Sequence, residues 1–408
     1  MATKRTAPAG IAADQPALAR TIARAAESAR DLAAGRRPRH PAAMTHSWLF
    51  TGAPGSGRSH AALALAAALE CEDPDEPGCG RCRGCRAVLG GAHTDVVRVA
   101  PDGLSIGVDV ARDEITAHAH RLPTVGRWRV VIVEEADRLS AAAADALLKT
   151  VEEPPERTVL IFLAPSTDPE DFSTTLRSRC RHVYVPPPSL ERLERILIEE
   201  EGASQADARL AAAASLRHVG RARLLVRDRS MQTRRAQVLN LAELVNHGDA
   251  AFRAVNQLVR SVDKEATDAH AEADARERAK LEESLGRGGK GRGVAKALRG
   301  SAGAIRELEK AQKMRHTRRK RDLLDLSLVD LAGIYRDALM KRSGADVAPT
   351  HPDFAPLAEE LAENVSAAGL VACLDAVATC RRHIAENVQF AIATDALVGR
   401  LRLAYQAR

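Results

Sequence analysis

Residues Trp48-Leu-Phe-Thr51, then Gly52-Ala-Pro-Gly-Ser-Gly57-Arg58-Ser59, then the Ala-rich run His60–Leu69 decide how this sequence is read. An apolar, partly aromatic tetrapeptide predicts a buried strand. A glycine-punctuated loop follows it, and an alanine- and leucine-rich stretch predicts a helix. Strand, glycine loop and helix N-terminus together are the setting that a phosphate-binding loop requires; the alternative is a glycine-rich turn that holds no ligand. The glycines let successive backbone N–H groups turn inward, and the helix dipole adds positive potential. The spacing of Gly52, Gly57 and Ser59 is the expected one, with Gly55 between. Arg58 stands where a lysine is usual, replacing a slim point charge by a broad, forked, planar cation.

Outward from this loop, short apolar runs alternate with helical stretches. Val96–Val99, Val130–Val133, Val159–Leu163 and Val183–Val185 are the further strand candidates. Strands separated by helices predict a parallel sheet covered by helices. The run Val130-Val-Ile-Val-Glu134-Glu135 ends in acids, as does a strand that orients Mg²⁺ with its first carboxylate and a hydrolytic water with its second. Here the first acid is Glu134. The extra methylene displaces the carboxylate by about 1 Å relative to aspartate and disturbs octahedral Mg²⁺ geometry. Ser140 is placed to cap a helix that Pro154 and Pro155 stop, with Leu147, Leu148 and Val151 on its apolar face. Thr175-Leu-Arg-Ser178-Arg179-Cys180-Arg181 precedes the last strand. By spacing alone its arginines are a solvated turn.

Cys71, Cys79, Cys82 and Cys85 fall within fifteen residues, and Gly78, Gly80 and Gly84 supply the turns that bring them together. Four thiolates suit a closed tetrahedral zinc site. An iron–sulfur cluster and redox thiols are the alternatives. Cys373 and Cys380 lie seven apart in a helical pattern, about 10.5 Å of rise, and are expected in the core.

The chain has 408 residues, 45% of them apolar, 28% charged and 3% aromatic. That excludes wholesale disorder and favours helix over β-sandwich or barrel. No apolar run approaches the roughly 18 residues needed to cross a bilayer. The N-terminus has no apolar core of a secretory signal, so a reducing, cytoplasmic setting is expected. Net charge is +6, but the distribution is uneven. Gly286–Ile305 carries five bases and no acid, and Lys310–Arg321 seven bases and no acid. The 263–321 stretch is expected to be a basic, glycine-rich insert, with GRGGKGRG as a mobile loop between solvated helices. Leu18–Leu32, Leu323–Leu339 and a segment within Leu370–Tyr405 read as amphipathic helices, and no strand is expected after Met231.

Taken together, these stretches resemble the delta-prime subunits of the bacterial DNA polymerase III clamp loader, of the AAA+ superfamily. HSWLFTGAPGSGRS resembles the family's P-loop segment, and VVIVEEADRLSAAAADALLKTVEEPP its Walker B strand and following helix. The cysteine quartet is similar to the family's zinc module. TTLRSRC matches its Ser-Arg-Cys motif, and Gly220-Arg-Ala-Arg223 resembles its sensor 2 segment. The glycine-rich basic insert resembles actinobacterial members.

The resemblance implies three parts. A P-loop domain, 1–185, carries the zinc module at 71–85. A helical lid follows at 186–230, and an all-helical collar at 231–408. It implies a hetero-pentamer with motor and delta subunits that opens a sliding clamp and closes it around primed DNA. It implies that Arg179 acts in trans on a neighbour's ATP, while this chain's own ATPase, as part of a DNA-directed DNA polymerase holoenzyme, is weak or absent. Gly52, Gly55, Gly57, Arg58, Ser59, Glu134, Glu135, Ser166 and Arg223 then form a degenerate site for ATP and Mg²⁺. Ser166 shares the sensor 1 position ambiguously with Thr167, and the Val-Gly-Gln segment that packs near adenine is missing. An active ATPase motor, and a zinc-containing nucleic-acid-binding protein with a vestigial P-loop, are the competing readings.

Overall fold

A computed structural model describes residues 15–101, 103–285 and 294–406, with side chains for all but 294–302. The GRGGKGRG segment, 286–293, lies outside the described residues. The chain divides into two compact units: residues up to Leu193 together with Arg217–Gly220, and Glu194–Leu216 together with Arg221 onward.

The first unit is built on a five-stranded sheet. Its strands are β1 (Ser47–Thr51), β2 (Val96–Val99), β3 (Arg129–Val133), β4 (Thr158–Ala164) and β5 (Arg181–Tyr184). The order across the sheet is β5-β1-β4-β3-β2, every pairing parallel. β4 lies at the centre and is buried along its whole length. Side chains alternate between two apolar layers, as the period-two pleat requires. Trp48, Phe50, Val130, Ile132, Val159 and Ile161 face one layer with helices Pro16–Ala33, Arg58–Leu69 and Arg83–Leu89. Leu49, Val131, Val133, Leu160 and Phe162 face the other with the helical segment 108–119 and helix Ala141–Glu152. Ser140 caps the latter helix by accepting from the Ala143 N–H; of the expected apolar face Leu147 and Val151 are buried, with Ala143, Ala144 and Thr150, while Leu148 is half-buried.

The second unit is helical. Helices Arg229–Leu244, Ala250–Asp268, Ala355–Asn364, Ala367–Ala385 and Phe390–Tyr405 pack around the C-terminal part of one long helix, Val294–Arg342. Leu324, Leu328, Leu331 and Tyr335 are buried there, and so are Cys373 and Cys380. No single helix among the described residues is long and apolar enough to cross a membrane.

Part of the basic run of the long helix is neutralised within the unit. Arg315 pairs with Asp274 and Glu277 of helix Ala271–Ser284, and Lys320 pairs with Asp263. A deeper polar network lies near the long helix's C-terminal end. Arg235 donates to Asp353 and to His351 Nδ1, and the opposite ring nitrogen, Nε2, lies 3.0 Å from the Asp330 carbonyl oxygen. Asp337 accepts from the Thr350 and His351 backbone N–H groups.

Candidate nucleotide and metal sites

The glycine loop leaves the end of β1 and enters helix Arg58–Leu69 as the sequence predicts. Gly57, the residue before the helix, has φ +93°, a left-handed conformation that favours glycine. Gly55 is also left-handed. A Cβ there would run into His218, whose backbone and ring sit against the loop. A Cβ at Gly52 would meet the Val185 carbonyl oxygen.

Arg58 Nη1 and Ser56 Oγ are buried without hydrogen-bond partners among the described residues. Burial pushes the Arg58 guanidinium below its ordinary value, against the opposing field of Asp137, Glu135, Glu134 and Asp171. Phosphate oxygens would satisfy the two orphaned atoms, but these carboxylates oppose any anion brought to them.

The end of β3 departs from a metal site. Ser59 Oγ donates to Glu134 Oε2 at 2.8 Å. Arg98, on neighbouring β2, grips Glu134 Oε1 with Nε at 2.9 Å and with Nη2. Both carboxylate oxygens are thus engaged, one by the hydroxyl that would share the Mg²⁺ and the other by a fixed cation. These residues do not fit Mg²⁺. Glu135 has φ +50°, strained for a residue with a Cβ, and pairs with Arg138 at 2.7 Å. Ser166 Oγ donates to Asp171 Oδ2 at 2.6 Å, closing its own turn. Arg223 lies in the helical unit and pairs there with Glu200 and Glu201.

Sequence reasoning missed Arg98 and His218. The signal for Arg98 was a lone charge inside the strand Val-Val-Arg-Val. For His218 no local signal exists, because its contact spans more than 160 residues.

The three arginines around the Ser-Arg-Cys turn differ in commitment. Arg181 donates to the Ala42 and Ala43 carbonyls at 2.6 and 2.9 Å and lies over the Trp48 ring. Arg177 donates to the Thr167 carbonyl. Arg179 is exposed and pairs with Glu152, with a further bond to the Thr175 carbonyl at 2.8 Å.

The four sulfurs of Cys71, Cys79, Cys82 and Cys85 lie within 4.8 Å of one another, Cys71 and Cys82 at 3.9 Å. A tetrahedron with Zn–S bonds of about 2.3 Å has edges of about 3.8 Å, so the quartet fits zinc. Cys82 caps helix Arg83–Leu89, accepting from the Cys85 N–H at 3.3 Å. Cys79 Sγ accepts from the Cys82 N–H at 3.4 Å. A hydrogen bond from Cys85 holds the Cys71 thiol far below its ordinary value. Zinc bound here would tie the loop after helix Arg58–Leu69 to helix Arg83–Leu89.

A parallel sheet in the order β5-β1-β4-β3-β2, with a glycine loop after β1 and paired acids after β3, defines an AAA+ P-loop domain. The comparisons narrow the class. Residues 37–189 match the family model described as "DNA polymerase III, delta subunit". The chain is 39% identical over 208 residues to DNA polymerase III subunit delta' of Escherichia coli strain K12, covering 50% of this chain and 61% of that protein. It is 38% identical over 170 residues to DNA polymerase III subunit gamma/tau of Mycobacterium tuberculosis, covering 40% of this chain and 29% of that protein. Among solved structures, a DNA polymerase III gamma subunit-related protein from Thermotoga maritima aligns at a TM-score of 0.41 with 17% identity, covering 88% and 94% of the two chains. Over these stretches the chain is similar to the delta-prime and gamma/tau subunits of bacterial DNA polymerase III. It spans less than two thirds of the length of the E. coli and M. tuberculosis relatives.

Proposed function

We propose that this chain is a non-hydrolysing clamp-loader subunit that lends Arg179 to a neighbouring subunit's ATP. Its partners are the motor and delta subunits of a hetero-pentamer that places a sliding clamp on primed DNA in the cytoplasm, and its zinc is structural. The observation that carries the reading is Glu134, held between Ser59 and Arg98 where a hydrolytic site needs a carboxylate free for metal. Arg58 in place of lysine supports it.

Arg179 suits the role in trans because it is exposed, and its partners, Glu152, the Thr175 carbonyl and Ser178 Oγ, are surface groups that water can replace. A surface ion pair such as Arg179–Glu152 is worth about 0–1 kcal/mol. An arginine finger is worth about 10³–10⁵ in rate, or about 4–7 kcal/mol of transition-state stabilisation. Leaving Glu152 for a developing phosphoryl charge is therefore strongly favoured. Arg181 supports Trp48 and two carbonyls, and moving it costs more.

The second reading, an active motor, draws on the orphaned Arg58 Nη1 and Ser56 Oγ. Steady-state ATPase separates the two. The isolated chain is expected to be inactive, and an assembled loader carrying Arg179→Ala is expected to lose clamp- and DNA-stimulated ATPase while still assembling. Hydrolysis by the isolated chain at motor-like rates overturns the first reading. A loader indifferent to Arg179→Ala removes the role of that arginine.

A further inference from the structure

At the end of the sheet opposite the glycine loop, where β1 and β5 begin, an open cleft of about 450 Å³ is lined by Arg20, Arg24, Arg39, His40 and Arg181. Trp48 and Arg181 are register partners at this end, whereas the loop follows Thr51 at the other. Roughly 13 Å of strand, at about 3.3 Å per residue, separates the two.

The cleft gathers basic groups from three chain segments, and among the described residues no acid lines it. Two acids stand at its rim: Glu27 Oε2 lies 3.9 Å from His40 Nε2, and Asp31 Oδ2 accepts from the Arg39 backbone N–H at 3.3 Å. Arg20 and Arg24 are exposed at i, i+4 on helix Pro16–Ala33, a like-charge pairing that costs a few tenths of a kcal/mol unless an anion compensates it. Arg181 is held in place from behind by two carbonyls and the Trp48 face. On the long helix, by contrast, Arg315 and Lys320 of the basic run are met by Asp274, Glu277 and Asp263. Among the described residues no ion pair to Arg20 or Arg24 is formed in the cleft.

We propose that this cleft is a phosphate-binding site, separate from the glycine loop, that takes the phosphodiester backbone of nucleic acid or a free polyphosphate. Guanidinium groups in a concave, acid-free setting bind phosphate by forked, charge-assisted hydrogen bonds. Such contacts release counterions, so binding weakens steeply with salt, by about 0.9 in log–log slope per phosphate on duplex DNA. The proposal stands apart from the clamp-loader reading, because it concerns the isolated chain and needs neither assembly nor ATP.

The test uses the full-length, zinc-loaded chain and fluorescein-labelled duplex DNA over a salt series from about 50 to 200 mM. The variant Arg20→Glu with Arg24→Glu is compared with the charge-matched control Arg276→Glu with Arg278→Glu, whose arginines already pair with glutamates. Circular dichroism and zinc content check that both remain folded. The cleft variant is expected to lose about tenfold or more in affinity and about two units of salt slope, with the control near wild type. Inorganic tripolyphosphate added as competitor separates the sources. Displacement at matched phosphate concentration identifies a site for free polyphosphate, and resistance identifies one for nucleic-acid backbone. Absence of salt-dependent binding to both probes, or equal losses in the cleft variant and the control, overturns the proposal.

Discussion

Glu134 makes a quantitative demand on nucleotide binding. For its carboxylate to hold Mg²⁺ it must give up the Ser59 hydroxyl, a charge-assisted bond worth about 1.5–3 kcal/mol. It must also release Arg98, a partly exposed ion pair worth about 0.5–1 kcal/mol. The sum, about 2–4 kcal/mol, corresponds to about 30- to 1,000-fold in affinity and cancels much of what the metal contributes. The expected result is that the isolated wild-type chain binds a fluorescent ATP analogue equally with Mg²⁺ and with EDTA. Arg58→Lys alone should tighten both by the same factor, because it changes only the phosphate cation. Arg58→Lys combined with Glu134→Asp and Arg98→Ala should show a gain of about tenfold or more with Mg²⁺, since the shorter carboxylate is no longer held. Parallel melting curves check folding; the loss of one surface pair shifts Tm by only a few degrees. A wild-type chain that binds about tenfold tighter with Mg²⁺ would refute the reasoning, as it would mean that Glu134 exchanges its partners freely.

Other outcomes follow from the same geometry. The purified protein should carry about one zinc per chain, and Cys82→Ser should release it on assay by chelator titration, because the change removes one thiolate ligand while the serine hydroxyl still caps helix Arg83–Leu89. Asp95, fully buried, accepts from the Thr124, Val125 and Gly126 N–H groups and the Thr124 hydroxyl and faces the buried Arg129. Asp95→Asn should therefore cost about 2–4 kcal/mol. Trp48 and Trp128, the chain's only tryptophans, both report on this unit in urea unfolding, and a change under about 0.5 kcal/mol would contradict the role.

His351 sets a pH dependence in the helical unit. Burial, with help from Arg235, pushes its imidazole down to about 4. The unfolded chain takes up a proton near pH 6.5 while the folded one stays neutral. The stabilisation is thus fully present above about pH 6.5 and falls by about 3 kcal/mol as pH drops towards 4. Helical unfolding by circular dichroism should follow that fall, and His351→Asn should flatten it.

Much of this was written locally in the sequence. The strands are apolar runs whose alternate residues fill two layers, so β1, β3 and β4 could be placed within a residue or two. Glycine spacing marked the loop, and cysteine spacing marked the metal quartet. What escaped depends on pairing between distant segments. Arg98 is a strand arginine until β2 lies beside β3 and brings it to Glu134. The bases of 310–321 looked unopposed because their acids come from Asp263 and helix Ala271–Ser284. One amphipathic helix is expected within Leu370–Tyr405, and the structure has two, Ala367–Ala385 and Phe390–Tyr405, which pack on each other.

The helix Val294–Arg342 runs through 49 residues, roughly 70 Å at 1.5 Å per residue. Its two halves are stabilised by different means. From Leu323 onward it is threaded through an apolar core. Before that it lies beside helix Ala271–Ser284, which has no buried residue, and is tied to it by ion pairs. Apolar burial is indifferent to ionic strength, whereas exposed ion pairs are screened within about 10 Å at 0.1 M salt. One unbroken helix therefore holds two regimes of amide protection. Backbone hydrogens beyond Leu323 exchange only when the unit unfolds, and those of 303–320 exchange by local opening that added salt accelerates. The outer half of the helix is therefore expected to loosen at a salt concentration that leaves the core half intact.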